Sequence, residues 1–124
     1  MKEYVLLFRM DILSKKAQPS PAQLKTYMQD WMEWMNAIAE KGQLASGGNH
    51  LSYTVARVLK PGHVKSEGPY VANNESVAGY IIVRAKNLEG AIFLAEKCPI
   101  LKGENTSVEV RETATPPAMK EGAS

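Results

Sequence analysis

The run Tyr4-Val5-Leu6-Leu7-Phe8-Arg9-Met10 constrains the fold more than any other part of the chain, because its apolar side chains occupy both even and odd positions. Successive side chains of a strand point to opposite faces. Tyr4, Leu6, Phe8 and Met10 therefore take one face, and Val5 and Leu7 share the other with Arg9. A strand of this kind is covered on both sides, unlike one whose apolar and polar residues alternate strictly.

The first cover is helical. Ser20-Pro21-Ala22-Gln23 supplies an N-cap serine, a proline at the first helical position and a glutamine three residues after the cap, which together satisfy orphan N–H groups. Leu24, Tyr27, Met28, Trp31, Trp34, Met35 and Ile38 follow at helical spacing, and Gly42 is placed for a left-handed C-cap. This predicts a helix over residues 21–41. Asn87 caps a second helix with Leu88, Ala91, Ile92 and Ala95 on one face, stopped by Cys98-Pro99.

Between the helices, residues 43–51 are polar and glycine-rich, with Gly47-Gly48-Asn49-His50 marking a bend or a close backbone approach. Residues 53–59 and 63–66 flank the turn Lys60-Pro61-Gly62 and read as a hairpin. Residues 79–85 and 106–111 read as two further strands, and no internal repeat is present. The order predicts an α+β fold: a ferredoxin-like βαββαβ antiparallel sheet with an inserted hairpin and both helices on one face. Two helices cover one side of the first strand; a second subunit packed sheet to sheet covers the other, so a homodimer is expected.

At 124 residues the chain suits one domain, expected over residues 1–112, with 113–124, which hold Pro116-Pro117 and no apolar periodicity, as a loose tail. A content of 44% hydrophobic and 23% charged residues is that of a globular protein. The net charge of +2 comes from 15 basic and 13 acidic side chains that are interspersed, which argues against nucleic acid as a partner. The N-terminal residues lack the features of a signal peptide, and no stretch approaches the ~20 apolar residues of a membrane span. The single cysteine, Cys98, excludes an internal disulfide and suits a reducing compartment, so a cytoplasmic location is expected.

Glu67-Gly68-Pro69-Tyr70 through Glu75, followed by Ala78-Gly79-Tyr80-Ile81-Ile82, resembles the DGPF-type branch of the YCII-related family, whose pattern runs Asp-Gly-Pro-Phe, an acidic residue, Lys-Glu and then Gly-Gly-Tyr. Trp31-Met32-Glu33-Trp34, Lys41-Gly42 and Gly47-Gly48-Asn49 are similar to the family's long-helix end and glycine turn. Cys98-Pro99-Ile100-Leu101 and Ser107-Val108-Glu109-Val110-Arg111 resemble its Cys-Pro turn and final strand. The resemblance implies a dimeric α+β barrel of ferredoxin-like halves. It also implies two kinds of function: lyase or dehydrochlorinase-like chemistry, or a regulatory partnership with a transcription-initiation (sigma) factor. The sequence departs from the pattern at Glu67, Tyr70, Ala72 and Asn74, which replace aspartate, phenylalanine, an acidic residue and lysine. Relatives with lyase-like chemistry pair a helix histidine with an aspartate, and Trp31 occupies the matching helix position here. The expected function is therefore a small-molecule binding module with its cleft near the Glu67 to Tyr70 loop, taking a small polar or anionic ligand without a cofactor.

The candidate ligand-binding residues are Arg9, His50, Glu67, Tyr70, Glu75, Tyr80 and Arg84. His50 and His63 titrate near neutrality and suit general acid–base work if a carboxylate adjoins them; otherwise they are a loop residue and a solvated hairpin residue. Glu67 and Glu75 are candidate site carboxylates or turn residues. Arg9, Arg84 and Arg111 lie in strands among apolar neighbours, where each guanidinium has to meet a carboxylate, a solvent cleft or an anionic ligand. Trp31, Trp34 and Tyr27 form an aromatic helix face for a planar ligand or for the core. Two histidines and one cysteine without close spacing match no zinc pattern, and Cys98 before a proline reads as a small buried hydrophobe.

Overall fold

The computed structural model describes residues 1–11, 20–52, 54–62, 64–72, 74–103 and 105–114. In chain order the elements are β1 (Lys2–Asp11), α1 (Pro21–Glu40), β2 (Leu44–His50), β3 (Arg57–Lys60), β4 (Val64–Glu67), β5 (Glu75–Ala85), α2 (Leu88–Ala95) and β6 (Ser107–Glu112), with a 3-10 turn at Pro99–Lys102. The fold is α+β. Four strands form an antiparallel sheet in the order β2-β5-β1-β6, and β3 and β4 form a separate two-stranded sheet.

Helix α1 starts as its sequence dictates. The Ser20 hydroxyl accepts from the Gln23 N–H at 3.2 Å, and the Gln23 side chain accepts from the Ser20 N–H at 2.9 Å. It ends at Lys41 and Gly42, whose φ of +71° is the left-handed cap. Tyr4, Leu6 and Phe8 bury one face of β1, and the register Tyr4 to Val83 and Leu6 to Ile81 adds the matching residues of β5. Trp34 and Ile38 of α1 and Ala91, Leu94 and Ala95 of α2 complete this cluster, so both helices pack on one sheet face. Each fully buried side chain of this size contributes roughly 1.5–3 kcal/mol. The Trp34 indole N–H donates to the Leu94 carbonyl at 3.0 Å and ties the helices together.

The glycine-rich stretch, expected to bend or to approach other backbone closely, is a strand, β2, paired with β5. Its register shifts twice between Leu44 and Asn49, which hides the period-two pattern. Gly48, at φ +58°, makes this possible: a Cβ there would lie 1.7 Å from the Tyr80 carbonyl oxygen. The hairpin exists but its first arm is only Arg57–Lys60, because the Ser52 hydroxyl accepts from the Thr54 and Val55 N–H groups and turns the chain there. Strand β5 begins at Glu75, four residues earlier than its Tyr/Ile/Val run suggests. Helix α2 buries Ala91, Leu94 and Ala95, while Leu88 and Ile92, expected on the core face, are exposed. Small Ala91 brings the helix close to β5, and Leu94 then fills the core. Tyr53, His63 and residues 115–124 of the expected tail lie outside the described residues. Among those described, no helix is long and apolar enough to cross a membrane.

Candidate functional site

The sheet face turned away from the helices is built differently. Val5, Leu7 and Arg9 of β1 lie opposite Ile82, Tyr80 and Val77 of β5 and opposite Arg111, Glu109 and Ser107 of β6. Directly opposed residues share a face, so a stripe of Val5, Leu7, Tyr80 and Ile82, all half-buried, runs between polar margins. At one end of the stripe the polar groups converge.

A β-bulge between Phe8 and Arg9 shifts the register there, so that Arg9 faces Val77. The Arg9 Nη2 donates to Glu109 Oε1 at 3.0 Å, across a diagonal of the β1–β6 pair. Arg111 Nε lies 3.8 Å from the other oxygen of the same carboxylate. Glu75 arrives from the tight turn in which Ala72 and Glu75 exchange two backbone hydrogen bonds of 2.9 Å, and its Oε1 accepts from the Ser107 hydroxyl at 2.8 Å. The turn is held to β5 by the Ser76 hydroxyl, which donates to the Tyr70 carbonyl at 2.7 Å. Beside this cluster Asp11, only 1% exposed, accepts from the Asn105 side-chain amide at 3.2 Å.

The structure thus brings Arg9 and Glu75 together, with Tyr80 further along the same face. It separates the other candidates. Arg84 lies at the opposite end, where its Nε is 3.9 Å from Glu3 and its Nη1 donates to the Leu44 carbonyl at 3.5 Å. Glu67 sits in the hairpin, 3.4 Å from Arg57 and 87% exposed, and Tyr70 is 70% exposed. His50 pairs with Gly79, on the helix side of the sheet, where its exposed ring lies 6.0 Å from that of Trp31. Trp31 itself packs edge-on against Phe8 at 4.6 Å, so the aromatic helix face is mainly core. All three strand arginines have met a carboxylate. His63 is outside the described residues.

Ser107, Glu109, Asn105 and Asp11 belong to the cluster and were not among the candidates. The alternation Ser107-Val108-Glu109-Val110-Arg111 does show one polar face, but only the β1–β6 register reveals that it meets Arg9. The cluster offers two guanidinium groups, two partly exposed carboxylates and a hydroxyl, which suits hydrogen-bonded recognition of a polar group. The Trp31 indole N–H only donates and cannot relay a proton. Burial pushes the Cys98 thiol up to about 12, against a smaller opposing hydrogen bond from the Ile100 backbone, so it stays protonated and inert as a nucleophile.

No curated protein matches this chain. The profile of the YCII-related domain matches residues 9–114, from the arginine of the polar cluster to just past the strand that carries its glutamate partner. By that match over most of its length, the chain belongs to the YCII-related domain family.

Proposed function

We propose that the protein is a small-molecule binding module that works as a homodimer closed sheet to sheet. Its ligand, small and polar or anionic, lies in the cleft between the 67–75 loop and the sheet, at the Arg9 end of the open face. The observation that carries the reading is the Arg9–Glu109 and Ser107–Glu75 pairing at the end of a half-buried apolar stripe that no described helix covers. The strand order β2-β5-β1-β6, with both helices on the far side, supports a ferredoxin-like half whose open face awaits a second sheet. Laying one sheet on another would shield Val5, Leu7, Tyr80 and Ile82 and enclose the polar end, where lower dielectric strengthens each hydrogen bond. Arg9 engages Glu109 through Nη2 alone among the described residues, which leaves further N–H groups for an incoming oxygen. A reduced, buried Cys98 accords with a cytoplasmic location.

Sedimentation and a ligand screen test this together. A dimer burying on the order of 2,000 Å² or more is expected to persist at micromolar concentration. In a thermal-shift screen of small carboxylates and phenols, hits are expected to weaken with Arg9→Ala and Glu75→Gln and to survive Glu67→Gln. A folded monomer at micromolar concentration removes the dimer, and hits indifferent to Arg9 and Glu75 remove the site.

A further inference from the structure

A second concavity lies at the opposite corner of the molecule, apart from the Arg9 cluster. It is a cavity of about 310 Å³ where the end of α1, the start of β2 and the β5–α2 junction meet. That volume falls at the small end of ligand pockets and equals roughly ten water molecules. Lys41 and Lys86 line it, and no aspartate or glutamate does. Glu89, the acidic residue of the first turn of α2, is not part of the lining. Neither lysine forms an ion pair among the described residues, whereas Lys2 and Lys102 each do.

The remaining walls are apolar or already fixed. Leu94 is buried, and Phe93 is 54% exposed, an aromatic side chain whose burial would be favourable. Gln43 is clamped to the end of β5: its carbonyl accepts from the Arg84 N–H at 2.6 Å and its side chain donates to the Arg84 carbonyl at 3.1 Å. The Asn87 side chain accepts from the Gly90 N–H at 2.9 Å and holds the helix start in place. Gln43 and Asn87 are therefore set before any ligand arrives, which lowers part of the ordering cost of binding, and exposed Met1 completes the lining. The first turn of α2 adds a modest positive potential to that of the two ammonium groups.

We infer that this cavity binds a small monocarboxylate with an apolar body, its carboxylate between Lys41 and Lys86 and its body against Phe93 and Leu94. Two cations without a lining anion select the charge, and the apolar wall distinguishes such a ligand from a bare inorganic anion.

Phenylacetate is the probe, titrated into the full chain and followed by amide NMR and thermal shift. Perturbation is expected at the 85–94 segment, with a concentration-dependent rise in melting temperature. Phenethyl alcohol, which lacks the charge, and inorganic phosphate, which lacks the apolar body, are each expected to bind about tenfold more weakly or not at all. Both lysine side chains are exposed, so Lys41→Gln with Lys86→Gln leaves the fold intact and is expected to weaken phenylacetate by about tenfold or more. Lys60→Gln with Lys65→Gln, the same charge change on the hairpin, should bind as wild type. Equal binding by the Lys41/Lys86 variant, by phenethyl alcohol or by phosphate overturns the inference, as does an equal loss in the hairpin variant. Perturbations confined to the Arg9 end overturn it too, while leaving the open-face site standing.

Discussion

On the helix-covered face of the sheet Tyr4, Leu6, Phe8, Ile81 and Val83 are at most 2% exposed, whereas their neighbours on the open face, Val5, Leu7, Tyr80 and Ile82, are only half-buried and bordered by charge. The same strands supply both faces. Packing alone explains the first, since these residues form one apolar cluster and the helices fill the space above it. It does not explain the second, where Arg9, Glu75, Ser107 and Glu109 hold specific partners although partly exposed pairs of this kind stabilise a fold by only ~0–1 kcal/mol. Charge that folding does not require, arranged with defined geometry, is what a binding surface looks like.

The largest expected effect divides the two faces at adjacent residues. Leu6→Ala removes a fully buried side chain and should cost ~2–5 kcal/mol in urea denaturation. Leu7→Ala, half-buried on the open face, should cost about 1 kcal/mol in dilute protein and more as concentration rises, because a second sheet would deepen its burial. Equal losses at all concentrations would erase the distinction between the faces.

An intermediate effect tests how dry the covered side is. Cys98 belongs to its core cluster, and desolvation raises its thiol from the usual 9.0 to about 12. In the unfolded chain the thiol ionises near 9, so the folded state binds the proton more tightly. The contribution is complete below pH 9 and is lost as pH rises from there towards 12. Wild type should therefore lose stability between pH 9 and 11 more steeply than Cys98→Ala, by urea midpoints across that range. Parallel slopes would mean that water reaches the thiol. At pH 8, alkylation of native protein should be slow and should accelerate on unfolding.

Local signals in the sequence were legible where one element settles its own geometry. Ser20, Pro21 and Gln23 start α1 through contacts within four residues, and Gly42 ends it. At β2 the glycines marked a bend or a close approach, but the strand itself was not legible, because the Tyr80 backbone that Gly48 approaches is supplied only by the folded sheet. The face of α2 was read in part for a related reason: Ala91 and Ala95 are buried as expected, but Leu94 takes the place of Leu88 and Ile92 because of the distance to β5, which an isolated helix pattern does not contain. The candidate site divides in the same way. Arg9 and Glu75 could be singled out as charges within or beside apolar strands, yet Glu109 lies 100 residues from Arg9 and joins it only through the β1–β6 register. Local cues likewise could not separate Glu67 from Glu75, since their different surroundings arise from the hairpin and the sheet.

The smallest expected effects concern the two ion pairs that the sequence could not tell apart. Arg57–Glu67 joins side chains 64% and 87% exposed, so Glu67→Gln should change stability by no more than ~0.5 kcal/mol, and added salt should abolish even that. Arg9–Glu109 joins side chains 32% and 38% exposed in the single chain, and Glu109→Gln should there cost under ~1 kcal/mol. A second sheet over the open face would desolvate this pair, and breaking a buried pair costs ~3–5 kcal/mol because the remaining charge is stranded. The Glu109→Gln loss should therefore grow with protein concentration and resist salt, while the Glu67→Gln loss stays near zero throughout. Denaturation of both variants over a dilution series checks this directly. A Glu109→Gln loss that stays small and salt-sensitive at every concentration would leave the Arg9 end as solvated as the hairpin, and the contrast between the two faces would then stop at their apolar residues.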